Sequence, residues 1–247
     1  MKPSDFVESV VSAYEKGTGV FVRKVNAEDL LPEESNDQQK ALFLFYVVQL
    51  DYATKSQNLY RLAKQLFKTT PDFFKPEKIV KLRLSELNKK LVYLRPRYIN
   101  EATKRYSLNS KFLLEKYHGQ PKLIFETSKS IKDVLLKIRE FRGFGPKIGN
   151  FFIRTMINTF GYKYDDIDNL LPPVDVHDVR IAFLMGYIKS KDMFAGNIKK
   201  TKILWSEACK KAKKSWLIFD KALWLLGSEG KPKTKEDIFE SLRRKEV

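Results

Sequence analysis

Ten residues, Phe141-Arg142-Gly143-Phe144-Gly145-Pro146-Lys147-Ile148-Gly149-Asn150, restrict this chain more than any other stretch. Upstream, Ile131, Val134, Leu135 and Ile138 recur at the spacing of one helix face, with Ser128 or Ser130 available as N-cap. Downstream, Ile148, Phe151, Phe152, Thr155 and Met156 repeat that spacing as far as Gly161, a residue suited to a C-cap. Between the two runs, Gly143 and Gly145 are free to take positive φ, and Pro146 suits the first turn of a helix. The pattern predicts two helices joined by a tight glycine hairpin.

Such a hairpin has a chemical use. Backbone N–H groups at the start of the second helix lack intrahelical partners and can be offered to a phosphate. Lys147 projects from the same place, where the positive end of the helix dipole disfavours a protonated amine. An amine so placed is a candidate nucleophile, although a lysine on a helix is ordinarily a surface or phosphate-binding group.

A second constellation follows at Leu171-Pro172-Pro173-Val174-Asp175-Val176-His177-Asp178-Val179-Arg180. The prolines stop the chain before a new helix of Val176, Val179, Ala182 and Phe183. Asp175 stands at its N-cap with Asp178 three residues on, an imperfect capping box. Gly-x-Gly-x-Lys followed by Val-Asp-x-His resembles the helix-hairpin-helix DNA glycosylases of the endonuclease III superfamily, closely over residues 135–185 and in outline elsewhere.

The resemblance implies a lysine at position 147 that attacks C1′ of a damaged nucleotide, expels the base and cleaves the strand by β-elimination from a Schiff base. It implies that Asp175 helps deprotonate that lysine and stabilises positive charge on the sugar. It also implies phosphate contacts from Gly143, Gly145 and His177, and members of the family can hold a monovalent cation at the hairpin. Arg142 departs from the proline more usual there, which loosens the match and offers a further phosphate contact. The interval from Lys147 to Asp175 is longer than in endonuclease III itself. That interval, the absence of an iron-sulfur motif, and Asp220 and Trp224 four apart near the C-terminus look most like the archaeal GO glycosylases, which remove 8-oxoguanine.

Composition limits the alternatives. Across 247 residues, 47 Lys and Arg against 30 Asp and Glu leave a net charge of +17, an excess that favours a polyanionic partner. The single cysteine, Cys209, excludes an internal disulfide and any four-cysteine cluster built by this chain alone. His118 and His177 lie far apart without a cysteine cluster, which argues against zinc. Residues 1–20 lack the apolar run of a signal peptide, and the longest apolar run, 41–48, is too short to span a bilayer. The expectation is an intracellular, monomeric protein of the cytoplasm or nucleoid, with damaged DNA as its partner.

The remaining patterns are helical. Phe6, Val7, Val10, Val11 and Tyr14 mark a first helix closed by Gly17, residues 19–25 read as a short extended piece, and residues 31–37 read as a loop. A helix from Gln38 or Gln39 is apolar on nearly all sides through Val48, so it should be central and buried. Gln38 and Gln39 at its start are candidate base-pocket donors on position alone. The resemblance makes Tyr52, near its end, a candidate wedge for the gap left by a flipped base, against the plain reading of a half-buried tyrosine. Helices are further predicted from Ser56, over 76–82, 85–94, 96–106, 110–117 and 201–212, from a Ser215 cap through Gly227, and after Thr234. Arg95, Arg97, Lys104 and Arg105, interleaved with Tyr93, Tyr98 and Tyr106, suit either a strand-binding surface or a solvated helix face.

Asp220 and Trp224 share one helix face, where an indole can stack on a purine and a carboxylate can accept from base N–H groups. A tryptophan on so apolar a helix is otherwise core. Many helices with short connections give an all-α chain. Under the resemblance it forms one catalytic unit with two helical lobes and an active-site cleft between them. One lobe is residues 38–160, including the hairpin of 131–160, and the other is 1–37 with 161–247. The expected activity is that of a bifunctional glycosylase/AP lyase excising 8-oxoguanine. A glycosylase for oxidised pyrimidines or mismatches and a non-catalytic helix-hairpin-helix module are the alternatives.

Overall fold

A computed structural model of the chain describes residues 1–52 and 54–243. Those residues contain no strand; their α-helices are α1 (Pro3–Lys16), α2 (Asp37–Val48), α3 (Ser56–Thr69), α4 (Pro76–Ile79), α5 (Leu84–Leu91), α6 (Ile99–Tyr117), α7 (Lys122–Glu126), α8 (Ile131–Arg139), α9 (Ile148–Phe160), α10 (Val176–Leu184), α11 (Ala195–Ala212), α12 (Trp216–Ser228) and α13 (Lys235–Arg243). The chain divides into two compact units, a continuous one of Asn26–Leu170 and a discontinuous one of Met1–Val25 with Leu171–Val247.

In the continuous unit α2 is the buried axis, and every residue from Ala41 to Val48 is withdrawn from water. Its start is fixed by a reciprocal capping box: the Asn36 side chain accepts from the Gln39 amide, and Gln39 Oε1 accepts from the Asn36 amide, both at 2.9 Å. Phe45 on α2 is surrounded by Phe141, Phe144 and Phe152, with ring centroids 5.2, 5.4 and 5.8 Å away. The hairpin is therefore seated on the central helix by its own two phenylalanines.

The predicted break between residues 106 and 110 is absent, because α6 runs unbroken from Ile99 to Tyr117. Its interior polar residues have tertiary partners that outweigh their taste for turns. The Ser110 hydroxyl donates to the Tyr106 carbonyl at 2.6 Å and pairs with Tyr46 Oη at 2.7 Å, while Asn109 reaches the hairpin. Tyr106 is fully buried, stacked on Tyr46 at 4.3 Å, so it belongs to the core and not to a strand-binding surface. Ser56 opens α3 without capping it; its hydroxyl donates instead to Asp51 Oδ1 at 2.7 Å.

In the discontinuous unit α1 packs on α11 and α12, and α10 packs on α11 and α12. The core there includes Phe6, Trp205 and Phe219, with Phe6 and Trp205 rings 5.8 Å apart and Trp205 and Phe219 rings 5.3 Å apart, and the half-buried Tyr187 packs edge-on against Trp205. The piece predicted as extended, residues 19–25, begins instead with a 3-10 turn over Gly19–Phe21, which buries Phe21 edge-on against Tyr14. Helix α11 starts at Ala195, earlier than its apolar spacing indicates. No helix among the described residues is long and apolar enough to cross a membrane.

Candidate active site

The hairpin alternates buried and exposed residues. Phe141 and Phe144 face the core; Arg142, Gly143, Gly145, Pro146 and Lys147 are exposed. Each buried ring contributes about 2–3 kcal/mol of transfer free energy, and between them they fix the exposed residues in place. Gly143 takes φ +84°, so the turn requires glycine for its backbone, and the Arg105 side chain lies across it, its Cδ 2.8 Å from where a Cβ would stand. Gly145 does not share the positive φ expected of it. A third glycine, Gly149, permits close packing, since a Cβ there would stand 2.9 Å from the Phe144 carbonyl oxygen.

Asn109 holds the hairpin's main chain, a role the sequence pattern did not reveal. Its side chain is 1% exposed, accepts from the Arg142 amide at 2.9 Å and donates to the Arg142 carbonyl at 3.0 Å. Asn109 Nδ2 also donates to Gln49 Oε1 at 3.0 Å. The Arg142 guanidinium meets Glu101 (Nε–Oε1 3.0 Å), which Arg105 Nε also reaches at 3.3 Å. Those hydrogen bonds, Arg142's first, hold the Glu101 carboxyl below its usual range.

Lys147 occupies the N-cap position of α9 and is exposed. Of the first-turn amides, that of Gly149 is satisfied within the hairpin by the Gly145 carbonyl at 2.7 Å. The N-cap residue Lys147 makes no side-chain capping bond and the first turn of α9 holds no acidic residue, whereas the N-cap side chains of α2, α8 and α10 each cap their helix and each of those helices has an aspartate in its first turn. An uncapped helix start beside exposed glycines is suited to an anion. The carbonyls of Phe141, Arg142 and Gly145 already accept from Phe144, Asn109 and Gly149, so a monovalent cation at the hairpin would share its oxygens with those bonds. Among the described residues no cluster of His, Cys, Asp and Glu is arranged to hold a metal ion.

In the discontinuous unit Asp175 caps α10 as its spacing predicts. Its carboxylate accepts from the His177 amide at 2.7 Å, and its own amide donates to Asp178 Oδ2 at 2.6 Å. His177 is half-buried; its Nδ1 faces Arg180 Nη2 at 3.1 Å, and its Cβ lies where a side chain on Gly227 would collide. That glycine inside an otherwise apolar helix was the available signal for the close approach of α10 and α12.

On α12, Asp220 is buried and Trp224 is partly exposed, unlike Trp205 and Trp216, which are core. Gln38 and Gln39 both have structural duties: Gln38 Nε2 donates to the Gly119 carbonyl at 3.0 Å, and Gln39 completes the α2 cap. Tyr52 is 49% exposed and lies 6.1 Å from the ring of Tyr98, which is also exposed and has the Arg97 guanidinium 5.5 Å above it.

No protein-family model matches the sequence, and no curated protein matches it. In structure the chain is similar to the 8-oxoguanine DNA glycosylase of Thermotoga maritima, with a TM-score of 0.60 and 18% identity over 92% of this chain and 97% of that one. At that identity the likeness is one of fold, the all-helical fold of the helix-hairpin-helix glycosylases.

Proposed function

We propose that this chain is a DNA glycosylase with associated AP lyase activity, acting in base-excision repair on 8-oxoguanine as a monomer inside the cell. The observation that carries the reading is the exposed lysine at an uncapped helix start, delivered by a glycine hairpin, in a fold shared with an 8-oxoguanine DNA glycosylase. In this reading a DNA phosphate binds the first turn of α9, with Gly143 and Gly145 allowing close approach and with Arg142 and His177 adding contacts. Arg142 would exchange its bond to Glu101 for one to the phosphate.

The Lys147 amine bonds to C1′ as the glycosidic bond breaks, and that bond's electrons leave with the base, which takes up a proton. Loss of a proton from nitrogen and opening of the sugar give an imine. Removal of a C2′ proton then expels the oxygen on C3′ and cleaves the strand. The Asp175 carboxylate helps to deprotonate the amine and opposes the positive charge that develops on the sugar. Trp224 stacks on the flipped base, Asp220 accepts from it, and Tyr52 fills the vacated stack. For Gln38 or Gln39 to reach the base, each would give up the bond it now makes.

Asp175→Asn keeps a good N-cap, because asparagine caps as well as aspartate. We expect base excision to slow on the order of 100-fold or more, with the melting temperature nearly unchanged. A lower melting temperature with the rate per folded molecule intact would reduce Asp175 to a cap. Trp224→Ala should weaken preference for the damaged base by about 1–3 kcal/mol, the scale of base–aromatic stacking, with a smaller effect on undamaged duplex. Equal losses on both would make Trp224 a packing residue.

The experiment that tests the function is borohydride trapping of the whole chain on duplexes carrying 8-oxoguanine, thymine glycol or uracil. A covalent complex confined to the 8-oxoguanine duplex is the expected result. A complex on thymine glycol would move the substrate to oxidised pyrimidines. Binding without any complex would leave a monofunctional enzyme or a binding module.

A further inference from the structure

Three polar residues of α6 stand one turn apart, Glu101, Arg105 and Asn109, and all three reach the hairpin. Asn109 takes its main chain; the other two form a charged group beside the turn. Glu101 Oε1 accepts from Arg142 Nε at 3.0 Å and from Arg105 Nε at 3.3 Å, and its Oε2 accepts from Arg142 Nη2 at 3.4 Å. Arg105 is the more enclosed of the two arginines, its side chain 18% exposed against 52% for Arg142. It lies across Gly143, with Cδ, Nη1 and Nε at 2.8, 3.0 and 3.1 Å from where a Cβ would stand. A guanidinium therefore sits at the very glycine that lets a strand phosphate come close.

Two arginines on one carboxylate leave one positive charge over. A carboxylate and a phosphodiester carry the same single negative charge and each offers two oxygens to a guanidinium, so the second can take the place of the first. Glu101 is ionised in the free protein, because its hydrogen bonds, Arg142's first and Arg105's next, hold the carboxyl below its usual range. Ion pairs this open to water add little to the fold, so giving them up is a small loss.

We propose that Arg105 is a second arginine ligand of the strand phosphate at the hairpin, and that Glu101 is an internal stand-in for that phosphate, holding both guanidiniums at the turn until DNA displaces it. The inference rests on the DNA reading of the hairpin and deepens it. Its consequence is a built-in brake on binding. A phosphate must drive Glu101 off the arginines, so removing that carboxylate should tighten the hold on DNA.

The test is a binding isotherm on a short undamaged duplex, repeated at rising sodium chloride, with the melting temperature of each variant beside it. Glu101→Gln should bind roughly 2- to 10-fold tighter than wild type, the scale of releasing two exposed ion pairs, with its melting temperature nearly unchanged. Arg105→Gln should bind more weakly and lower the slope of log affinity against log salt by about 1, the mark of one phosphate contact. Arg105→Lys keeps the charge and should restore the slope. In the Arg105→Gln/Arg142→Gln background the gain from Glu101→Gln should vanish, since no guanidinium is left to release.

A gain that survives in that background makes Glu101 only a repelling charge and overturns the stand-in role. An unchanged salt slope in Arg105→Gln, with wild type binding the duplex, overturns the phosphate contact. Weaker binding by Glu101→Gln with a lower melting temperature makes the carboxylate a brace for the fold and overturns the brake. Duplex binding absent from every form would sink the DNA reading itself, and this inference with it.

Discussion

Lys147→Gln should bind duplex DNA nearly as well as wild type and form no borohydride-stable complex with any substrate. Glutamine is slightly shorter and uncharged but keeps N–H donors at the end of the side chain, and its amide nitrogen has no nucleophilic lone pair. Loss of the attacking group should lower strand cleavage on the order of a thousandfold or more. Affinity for DNA should fall by no more than roughly threefold, since one cation among many phosphate contacts is lost. The comparison is a gel of trapped complex beside a binding isotherm on the same duplex. Trapping at the wild-type level would place the nucleophile elsewhere.

Phe144→Ala should be the most damaging change to the fold around the site. The ring is 1% exposed and packs on Phe45 at 5.4 Å, Phe152 at 5.5 Å and Phe141 at 5.8 Å. Emptying so closed a site costs about 3–5 kcal/mol, because surrounding rings cannot collapse fully into the space. For a chain of this size that corresponds to a drop in melting temperature on the order of 10 °C. Phe144→Leu should recover more than half of the loss. A loss below about 1 kcal/mol in Phe144→Ala would mean that the hairpin does not depend on this anchor.

What was legible in the sequence follows from how local each cause is. Gly161 ends α9 with φ +71°, Ser130 caps α8, and Asp175 with Asp178 caps α10, all as their spacing predicts. Each depends on one or two neighbouring residues. The all-round apolar α2 was equally plain, although its start at Asp37 depends on Asn36, which lies in a stretch that reads as loop. Lys147 and Asp175 stood out because a helix terminus makes their positions chemically unusual before any tertiary contact forms.

The features that escaped are those whose partners lie far off in the chain. Asn109 is an unremarked polar residue until Arg142 folds against it, and then it keeps α6 continuous where its own preference is to break it. Arg105 and Tyr106 are neighbours in sequence, yet one lies across Gly143 at the hairpin and the other is core. No period distinguishes them. The close packing of α10 on α12 likewise joins distant parts of the chain, since α12 begins only at Trp216.

The main chain of Arg142 is bound at both its amide and its carbonyl by one buried asparagine, between two phenylalanines sunk in the core. Loops that take hold of a ligand commonly become ordered only when it arrives, and immobilising each residue's backbone then subtracts about 1–2 kcal/mol from the affinity. In this hairpin the loss of freedom falls on folding instead. Under the proposed function, a phosphate reaching it would meet a main chain already at rest, so little of the interaction energy would go into stilling the protein, and more of it would remain for drawing a nucleotide out of the helix.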